Sequence, residues 1–308
     1  MLSRRRKITQ GPGSSVEPSV PIDIDSLPAE EVLRLTYLLL LNREPDSEAI
    51  ATHIPSLRSG ERSRRQVVEW ITSSIEWSVV NRRTELGPSL QESRKAFVRS
   101  LPRARRILDL GGTALHMPEG AMIGALGYPY EFDELVIVDL PSEDRHELYQ
   151  DGSANEAIAT SRGTVSYRYH SMTDLSGIPS NSFDLIYIGQ AIEHVTTAEA
   201  DEVLRETFRV LAELGTLALD TPNARVTRLQ QTQFIDPDHK YEYTHAEMLE
   251  KLRTCGFAVI ESKGLNYAGQ SLKDGAFNIE EVANNSGIYA EIAECYLLSY
   301  LCRPVRNS

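Results

Sequence analysis

The chain has 308 residues, 41% of them apolar, which is enough to build a full hydrophobic core in one large domain or a main domain with a small companion. Its 44 acidic residues outnumber its 32 basic ones, and the net charge of -12 disfavours nucleic acid as a partner. No apolar run reaches the roughly 18 residues of a membrane span, and the three cysteines form no close pair. We therefore expect a cytoplasmic protein without a transmembrane segment.

The first 86 residues are predicted to form an arm and a small helical domain. Residues 1–25 are rich in Gly, Pro, Ser and charge, so they bury little apolar surface and are expected to be a flexible arm. Residues 26–86 contain three segments with apolar residues at three- and four-residue spacing, which predicts an all-α domain. Pro45, Asp46 and Gly60 provide the breaks between the helices.

This helical segment resembles a short domain of unknown function that precedes glycosyltransferases and methyltransferases in bacterial glycan-assembly proteins. The resemblance is carried by L-N-R-E-P-D at 41–46, by L-R-S-G at 57–60, and by Ser73, Ser74, Glu76 and Trp77. It implies a role in polysaccharide biosynthesis. A generic bundle used for packing, for a homodimer contact or for a partner protein is the alternative that the sequence leaves open.

Residues 87–308 alternate predicted strands with predicted helices, which is the order of a mostly parallel sheet. The expected strands are RRILDLGG, LVIVDL, SYRYHSM, FDLIYIGQ and TLALDTPN, followed by FAVIESKG and ECYLLSYLCR with no helix between these last two. The amphipathic segment ADEVLRETFRVLAELG predicts a helix that ends at Gly215, and Thr244 with Glu247 predicts a capping box. Two adjacent final strands are typical of methyltransferases. We expect an α/β fold with a Rossmann-like, seven-stranded methyltransferase sheet behind the all-α domain.

A Rossmann-like sheet binds its ligand beyond the carboxyl ends of the strands. The sequence I-L-D-L-G-G at 107–112 resembles the first motif of class I S-adenosylmethionine-dependent methyltransferases, although Thr113, Ala114 and Leu115 replace the later glycines of that motif. Asp139 ends the second strand, where a carboxylate can accept both ribose hydroxyls. The distance between the two motifs implies an insertion around residues 116–130.

A third motif completes the resemblance. Asp174-Leu175 with Ile178-Pro179 resembles the family segment D-A-x-x-L-P, whose Asp receives the adenine amino group. No G-x-G-x-x-G follows the first strand, which argues against a nicotinamide cofactor. The resemblance implies S-adenosylmethionine as cofactor and a binding domain over 87–308. The residues expected to bind it are Asp109, Gly111, Gly112, Asp139, Leu140, Asp174, Leu175 and Gln190.

Methyl transfer to a hydroxyl needs an aligned acceptor and a base or a metal ion that removes or neutralises its proton. Q-A-I-E-H-V at 190–195 follows the fourth strand, and D-P-D-H-K-Y-E-Y-T at 236–244 follows the fifth. This pair of segments resembles E-x-x-E-H and D-H-K-F-E-W-T of metal-dependent 2′-O-methyltransferases of small-RNA ends, with Gln190 in place of the first glutamate. The catalytic candidates are Glu193, His194 and His239, which act either as bases or as ligands of a divalent ion such as Mg²⁺. A packing role for both histidines is the third interpretation.

The acceptor region is expected in residues 225–243 and 266–290, where amides and tyrosines suit a polyhydroxylated ligand. Together with the N-terminal resemblance, this composition predicts an O-methyltransferase that acts on a sugar hydroxyl of a saccharide or glycolipid. The altered glycine loop leaves a second function open, a catalytically degenerate scaffold in a glycan-assembly complex. The segment 238–244 leaves a third, a metal-dependent RNA-end 2′-O-methyltransferase.

Overall fold

The computed structural model describes residues 24–41, 43–74, 77, 86–114, 117–141, 157–231, 234–236 and 238–306. Most of the predicted arm, together with Glu76 of the N-terminal resemblance, lies outside these residues. Contacts divide the chain into two compact units, Met1–Ser74 and Ile75–Ser308. Every helix in the described part of the chain is too short or too polar to traverse a lipid bilayer.

The described residues of the first unit form three helices, α1 (Ala29–Leu41), α2 (Ser47–Ser59) and α3 (Arg64–Thr72), after a 3-10 turn at Ile24–Ser26. Asp46 begins α2, because its carboxylate accepts the backbone N–H of Ala49 at 2.7 Å. Gly60 ends this helix with a left-handed φ of 73°. Val32, Leu33 and Val67 are fully buried where the helices pack.

The second unit contains one sheet of nine strands among its described residues, in the order β3-β4-β2-β1-β5-β6-β9-β7-β8. The strands are β1 (Arg106–Leu110), β2 (Glu134–Asp139), β3 (Ile158–Ala159), β4 (Thr164–Tyr169), β5 (Phe183–Gly189), β6 (Leu211–Pro222), β7 (Phe257–Tyr267), β8 (Ile288–Tyr289) and β9 (Cys295–Pro304). Strands β4, β2, β1, β5 and β6 are parallel, and β9 is antiparallel to both of its neighbours. The predicted Rossmann-like α/β sheet is confirmed. The count of seven is wrong, since two-residue strands β3 and β8 extend its two edges.

The helices of the second unit are α4 (Gly87–Ser100), α5 (Thr197–Val210), α6 (Ala224–Gln230), α7 (His245–Thr254), α8 (Gly269–Asp274) and α9 (Ile279–Asn284). Short 3-10 turns lie at Ile192–His194 and Ile292–Glu294, and a π-helical turn lies at Ala121–Ala125.

Two expectations about these helices are wrong. Helix α5 ends at Val210 and not at Gly215, because Leu211 already pairs with Phe183 of β5 and begins β6. Helices α8 and α9 lie between β7 and β9, where the sequence predicts none. Each has six residues, which is too short for a helical periodicity to show.

Apolar layers cover the parallel strands on both faces. Leu108 and Ile186 face the layer that contains α5 and α7, while Ile107 and Leu185 face the layer that contains α4. Neighbouring residues of a strand point to opposite faces, so a sheet covered on both sides needs continuous apolar runs. The parallel arrangement also places the carboxyl ends of β1, β2, β5 and β6 at one edge, where the candidate site is found.

Candidate active site

Two glycines shape the turn after β1. Gly111 has a φ of 77°, and a Cβ added to it would lie 2.7 Å from Cβ of Ala191, in the loop after β5. A Cβ on Gly112 would lie 2.2 Å from Oδ2 of Asp109. The two glycines therefore let the two loops approach each other and keep space open around the Asp109 carboxylate.

Asp109 is 1% exposed, and its Oδ2 has no hydrogen-bond partner in the structure. Burial raises the pKa of this carboxyl to about 8; the charges of Asp139 and Asp220 act in the same direction, and Arg94 opposes them. A buried polar atom without a partner is rare in native proteins and costs free energy. The unpartnered oxygen therefore fits a site that receives a cationic or hydrogen-donating ligand.

Asp139 connects the end of β2 to the glycine turn. Its Oδ2 accepts the backbone N–H of Thr113 at 3.1 Å, and its Oδ1 accepts that of Leu140 at 2.8 Å. The residue is partly buried. The structure thus brings the Asp139 carboxylate to the glycine turn and close enough to Asp109 to affect its pKa.

Asp174 has a different setting. Its exposed carboxylate accepts the backbone N–H of Ser176 at 3.0 Å, and hydrogen bonds from the side chain and the backbone of Ser176 hold the pKa of Asp174 below its ordinary value. Leu175 is buried, and its carbonyl accepts a hydrogen bond from Arg209 of α5 at 2.7 Å. Asp174 thus lies at the surface, beside a hollow of about 570 Å³ next to α5.

A buried network beside Asp109 was not expected from the sequence. Asp220, at the end of β6, is fully buried and accepts hydrogen bonds from Nε of Arg94 and Nε2 of Gln190, both at 2.8 Å. The Tyr187 hydroxyl donates to the other carboxylate oxygen of Asp220. Asp220 lies toward the end of a predicted strand, as Asp109 and Asp139 do, so the sequence contained a signal for its role in the site. Arg94 had no such signal, because it is one of several charged residues on an amphipathic helix.

The same network explains the position of Gln190. This residue has a left-handed φ of 55°, which is uncommon outside glycine, and its backbone N–H donates to the carbonyl of Asp220 at 2.9 Å. Both its backbone and its amide are therefore held by Asp220. Gln190 therefore belongs to the buried network beside Asp109. The turn that contains Glu193 and His194 follows it directly in the chain, so Asp220 also fixes the start of that turn.

The structure brings Glu193, His194 and His239 together. One ligand-type atom from each residue lies within 4.8 Å of the other two, and the imidazole rings are 4.9 Å apart between centroids in an edge-on arrangement. The backbone N–H groups of Lys240 and Tyr241 donate to the carbonyl of Glu193 at 2.7 and 3.1 Å. These two bonds attach the loop after β6 to the turn after β5.

Burial controls the electrostatics of this cluster. Oε2 of Glu193 accepts a hydrogen bond from Thr221 at 2.9 Å, Oε1 is buried without a partner, and burial raises the pKa of Glu193 to about 7 despite the opposing charge of His239. Burial and the neighbouring His239 lower the pKa of His194. Burial also opposes a charged His239, but the 2.6 Å hydrogen bond to Glu242 and the nearby Glu193 outweigh it and raise the pKa of His239. One carboxylate oxygen and two imidazoles form a donor set that can exchange protons or ligate a metal ion.

Comparison with known proteins finds similarity over part of this unit. Residues 120–219 match the family described as "Methyltransferase domain". A protein of Mycolicibacterium smegmatis described as a "probable S-adenosylmethionine-dependent methyltransferase" is 31% identical over 101 residues, which span 33% of this chain and 38% of that protein. These two matches support an S-adenosylmethionine-dependent methyltransferase.

Two solved structures are similar in chain fold. One is from the complex between the Haloferax volcanii Trm112 methyltransferase activator and a methyltransferase, with 18% identity, a TM-score of 0.49, and coverage of 75% of this chain and 96% of that chain. The other is the small RNA methyltransferase HEN1, with 16% identity, a TM-score of 0.45, and coverage of 73% of this chain and 25% of that chain.

Replacing Gly111 with alanine should destabilise the protein more than the same change at Gly275. Both glycines have a positive φ, but a Cβ at Gly275 meets nothing within 4 Å, whereas one at Gly111 collides with Ala191. We expect a loss of about 1–2 kcal/mol for Gly275→Ala from the left-handed conformation, and about 1–3 kcal/mol more for Gly111→Ala from the collision. Urea unfolding followed by circular dichroism measures both, and equal losses would contradict the close packing of the two loops.

Asp109→Asn should change how stability depends on pH. Because the folded pKa of about 8 lies above the unfolded value near 3.8, the contribution of Asp109 is fully present below the unfolded value and is lost as pH rises toward 8. The maximum slope is about 1.4 kcal/mol per pH unit. The asparagine amide does not ionise, so the variant should gain stability relative to the wild type between weakly acidic and weakly alkaline pH. Thermal unfolding across this range measures the difference, and a constant offset between the two proteins would show that Asp109 is ordinarily ionised.

Proposed function

We propose that this protein is an S-adenosylmethionine-dependent O-methyltransferase whose acceptor is a hydroxyl of a saccharide or glycolipid. The observation that carries the proposal is the edge of the sheet where the buried, unpartnered Asp109 oxygen lies near Asp139. The cluster of Glu193, His194 and His239 follows the neighbouring strands β5 and β6. The proposed cofactor site and the proposed proton-transfer site thus share one edge of the sheet, which supports a reaction that needs the methyl donor and the acceptor side by side.

The cofactor carries positive charge on its sulfonium and amino groups, which would favour the ionised form of the buried Asp109 carboxyl and so give its unpartnered oxygen a partner. Gly111 and Gly112 permit close approach of the chain, and Asp139 with the adjoining Leu140 is assigned to the ribose hydroxyls. Asp174 and Leu175 are assigned to the adenine side on the strength of the D-L-x-x-I-P segment. Gln190 closes the pocket from the side of β5, where Asp220 fixes it.

The bound cofactor supplies an electrophilic methyl group on a sulfonium centre. His194 is the group assigned to accept the proton of the acceptor hydroxyl, which would make that oxygen a better nucleophile toward the methyl group. The carboxylates of Asp236 and Asp238 favour the imidazolium that forms, while the neighbouring His239 disfavours it. His194 is only partly buried, so an acceptor can reach it from the surface.

The same three residues also fit a divalent ion. The buried Oε1 of Glu193 has no partner, and two imidazoles stand beside it. Such an ion would lower the pKa of the acceptor hydroxyl. The donor set of one carboxylate and two imidazoles suits manganese, iron, cobalt or zinc better than Mg²⁺, which prefers oxygen ligands.

Features near the cluster favour a neutral, polyhydroxylated acceptor over RNA. The carboxylates of Asp236 and Asp238 lie close enough to His194 to affect its pKa, so phosphates would be repelled there. Gln230 of α6 is fixed by a hydrogen bond from the Tyr296 hydroxyl at 2.7 Å, while its Nε2 is a buried donor without a partner. Tyr243 and Asn266, which the sequence suggested for the acceptor region, are 1% and 0% exposed and belong to the packed interior.

Asp139→Ala should weaken cofactor binding while Asp184→Ala does not. Both carboxylates accept two backbone N–H groups, but Asp184 begins β5 at the opposite edge of the sheet, where it accepts from Arg105 and Arg106. Loss of a charged hydrogen-bond partner of the ribose should raise the dissociation constant on the order of 10- to 100-fold. Calorimetry with S-adenosylmethionine tests this. If the wild-type protein does not bind the cofactor at millimolar concentration, the scaffold function is the one that stands. If both variants bind with equal affinity, Asp139 is not part of the cofactor site.

His194→Ala should lower turnover on the order of 100-fold with little change in cofactor affinity if His194 is the base. His245→Ala is the control, because that imidazole, at the start of α7, bonds the Tyr300 hydroxyl of β9 and stands apart from the cluster. The assay uses labelled cofactor with nucleotide sugars, glycolipid intermediates and short RNA as acceptors. Loss of wild-type activity with a chelator and its return with a divalent ion would replace the base by the metal mechanism, and activity on RNA alone would overturn the saccharide acceptor.

A further inference from the structure

Glu242 is a buried carboxylate that neither of the proposed mechanisms uses. It is 1% exposed and takes part in three hydrogen bonds. Oε2 accepts from the Thr227 hydroxyl of α6, and Oε1 accepts from the backbone N–H of Ile235 at 3.0 Å and bonds Nδ1 of His239 at 2.6 Å. These three partners fix the Glu242 carboxylate, and the carboxylate in turn restricts the positions of its partners.

The direction of the bond to His239 follows from the ionised state of Glu242. A carboxylate can only accept hydrogen bonds, so Oε1 accepts from Nδ1 of His239 as it accepts from the backbone N–H of Ile235. Nδ1 of His239 must then carry the hydrogen of this bond. In a neutral imidazole ring the second nitrogen, Nε2, is left with its lone pair available.

The partners of Glu242 come from three separate pieces of the chain. Thr227 belongs to helix α6, Ile235 to the loop after it, and His239 to the segment that meets the Glu193 turn. The backbone bonds of Lys240 and Tyr241 to Glu193 fix the chain on the other side of His239. The ring is therefore held both by its own backbone neighbours and by the carboxylate at Nδ1.

We propose that Glu242 is a positioning residue, which fixes His239 as the Nδ1–H tautomer and thereby presents Nε2 to Glu193 and His194. A hydrogen-bonded carboxylate behind an imidazole sets the tautomer of the ring and makes its other nitrogen a better base or ligand. The effect on catalysis rests on the proposed function, but the tautomer is a property of the protein alone. Glu242 also links the acceptor-side helix α6 to the cluster through Thr227.

The experiment reads the tautomer directly. Long-range ¹H–¹⁵N NMR on histidine-labelled protein without cofactor, at a pH where the imidazole is neutral, distinguishes Nδ1–H from Nε2–H. His239→Gln identifies the signal. The wild type should show Nδ1–H at His239, and Glu242→Gln should move this ring toward Nε2–H or a mixture, because the amide no longer requires a donor at Nδ1.

Glu247→Gln is the matched control, a conservative change five residues away. Glu247 accepts hydrogen bonds from the Thr244 backbone and the Tyr241 hydroxyl at the start of α7. The variant should therefore leave the His239 tautomer unchanged. Circular dichroism establishes that each variant folds. If Glu242→Gln unfolds, Thr227→Val is measured in its place, since it removes one bond that orients the Glu242 carboxylate and should partly shift the same signal.

Two further measurements connect the tautomer to function. Turnover of Glu242→Gln, or affinity for Co²⁺ followed by its visible absorption if the cluster binds metal, should fall about 10- to 100-fold, with cofactor affinity unchanged. Wild-type His239 in the Nε2–H form, or a Glu242→Gln protein with the wild-type tautomer, would overturn the proposal. If the protein neither methylates an acceptor nor binds the cofactor, the proposed function fails while the tautomer still decides the role of Glu242.

Discussion

The candidate site is organised by buried carboxyl groups at one edge of the sheet. Asp109 and Asp220 lie at the ends of β1 and β6, on either side of β5, and Arg94 is the cation that the structure places beside them. Taking charges out of water costs several kcal/mol per ion unless they are paired and hydrogen-bonded. Helix α4 is therefore fastened to the sheet through Arg94, and the unpartnered oxygen of Asp109 remains as the point where a cationic ligand would complete the balance.

This constraint extends to the second half of the site through Gln190. Asp220 holds both the amide and the backbone of Gln190 in a left-handed conformation, and the chain then turns directly into Glu193 and His194. The loop after β6 returns to the same turn and bonds the carbonyl of Glu193. The proposed cofactor side and the proposed proton-transfer side are thus connected through the hydrogen bonds of Gln190 and Glu193.

The donor set separates this site from the family pattern that it resembles. Where the small-RNA enzymes have a further glutamate, this chain has Gln190, and the structure turns that side chain to Asp220 and away from ligation. What remains is one buried carboxylate and two imidazoles, with Glu242 behind His239 and Thr221 beside Glu193. Such a group has the donor types of either an acid–base pair or a nitrogen-rich metal site.

Much of the fold and part of the candidate site could be predicted from local sequence patterns. Continuous apolar runs indicated the strands and their parallel order, and the residues at strand ends pointed to Asp109, Asp139, Glu193 and His194, because a parallel sheet must gather its carboxyl ends at one edge. Partners that are far apart in the chain could not be predicted. Arg94 meets Asp220 across 126 positions, and Gln190 meets the same carboxylate across 30. Such pairs form because the fold brings distant segments into contact, and an individual contact of this kind leaves no periodic pattern in the sequence.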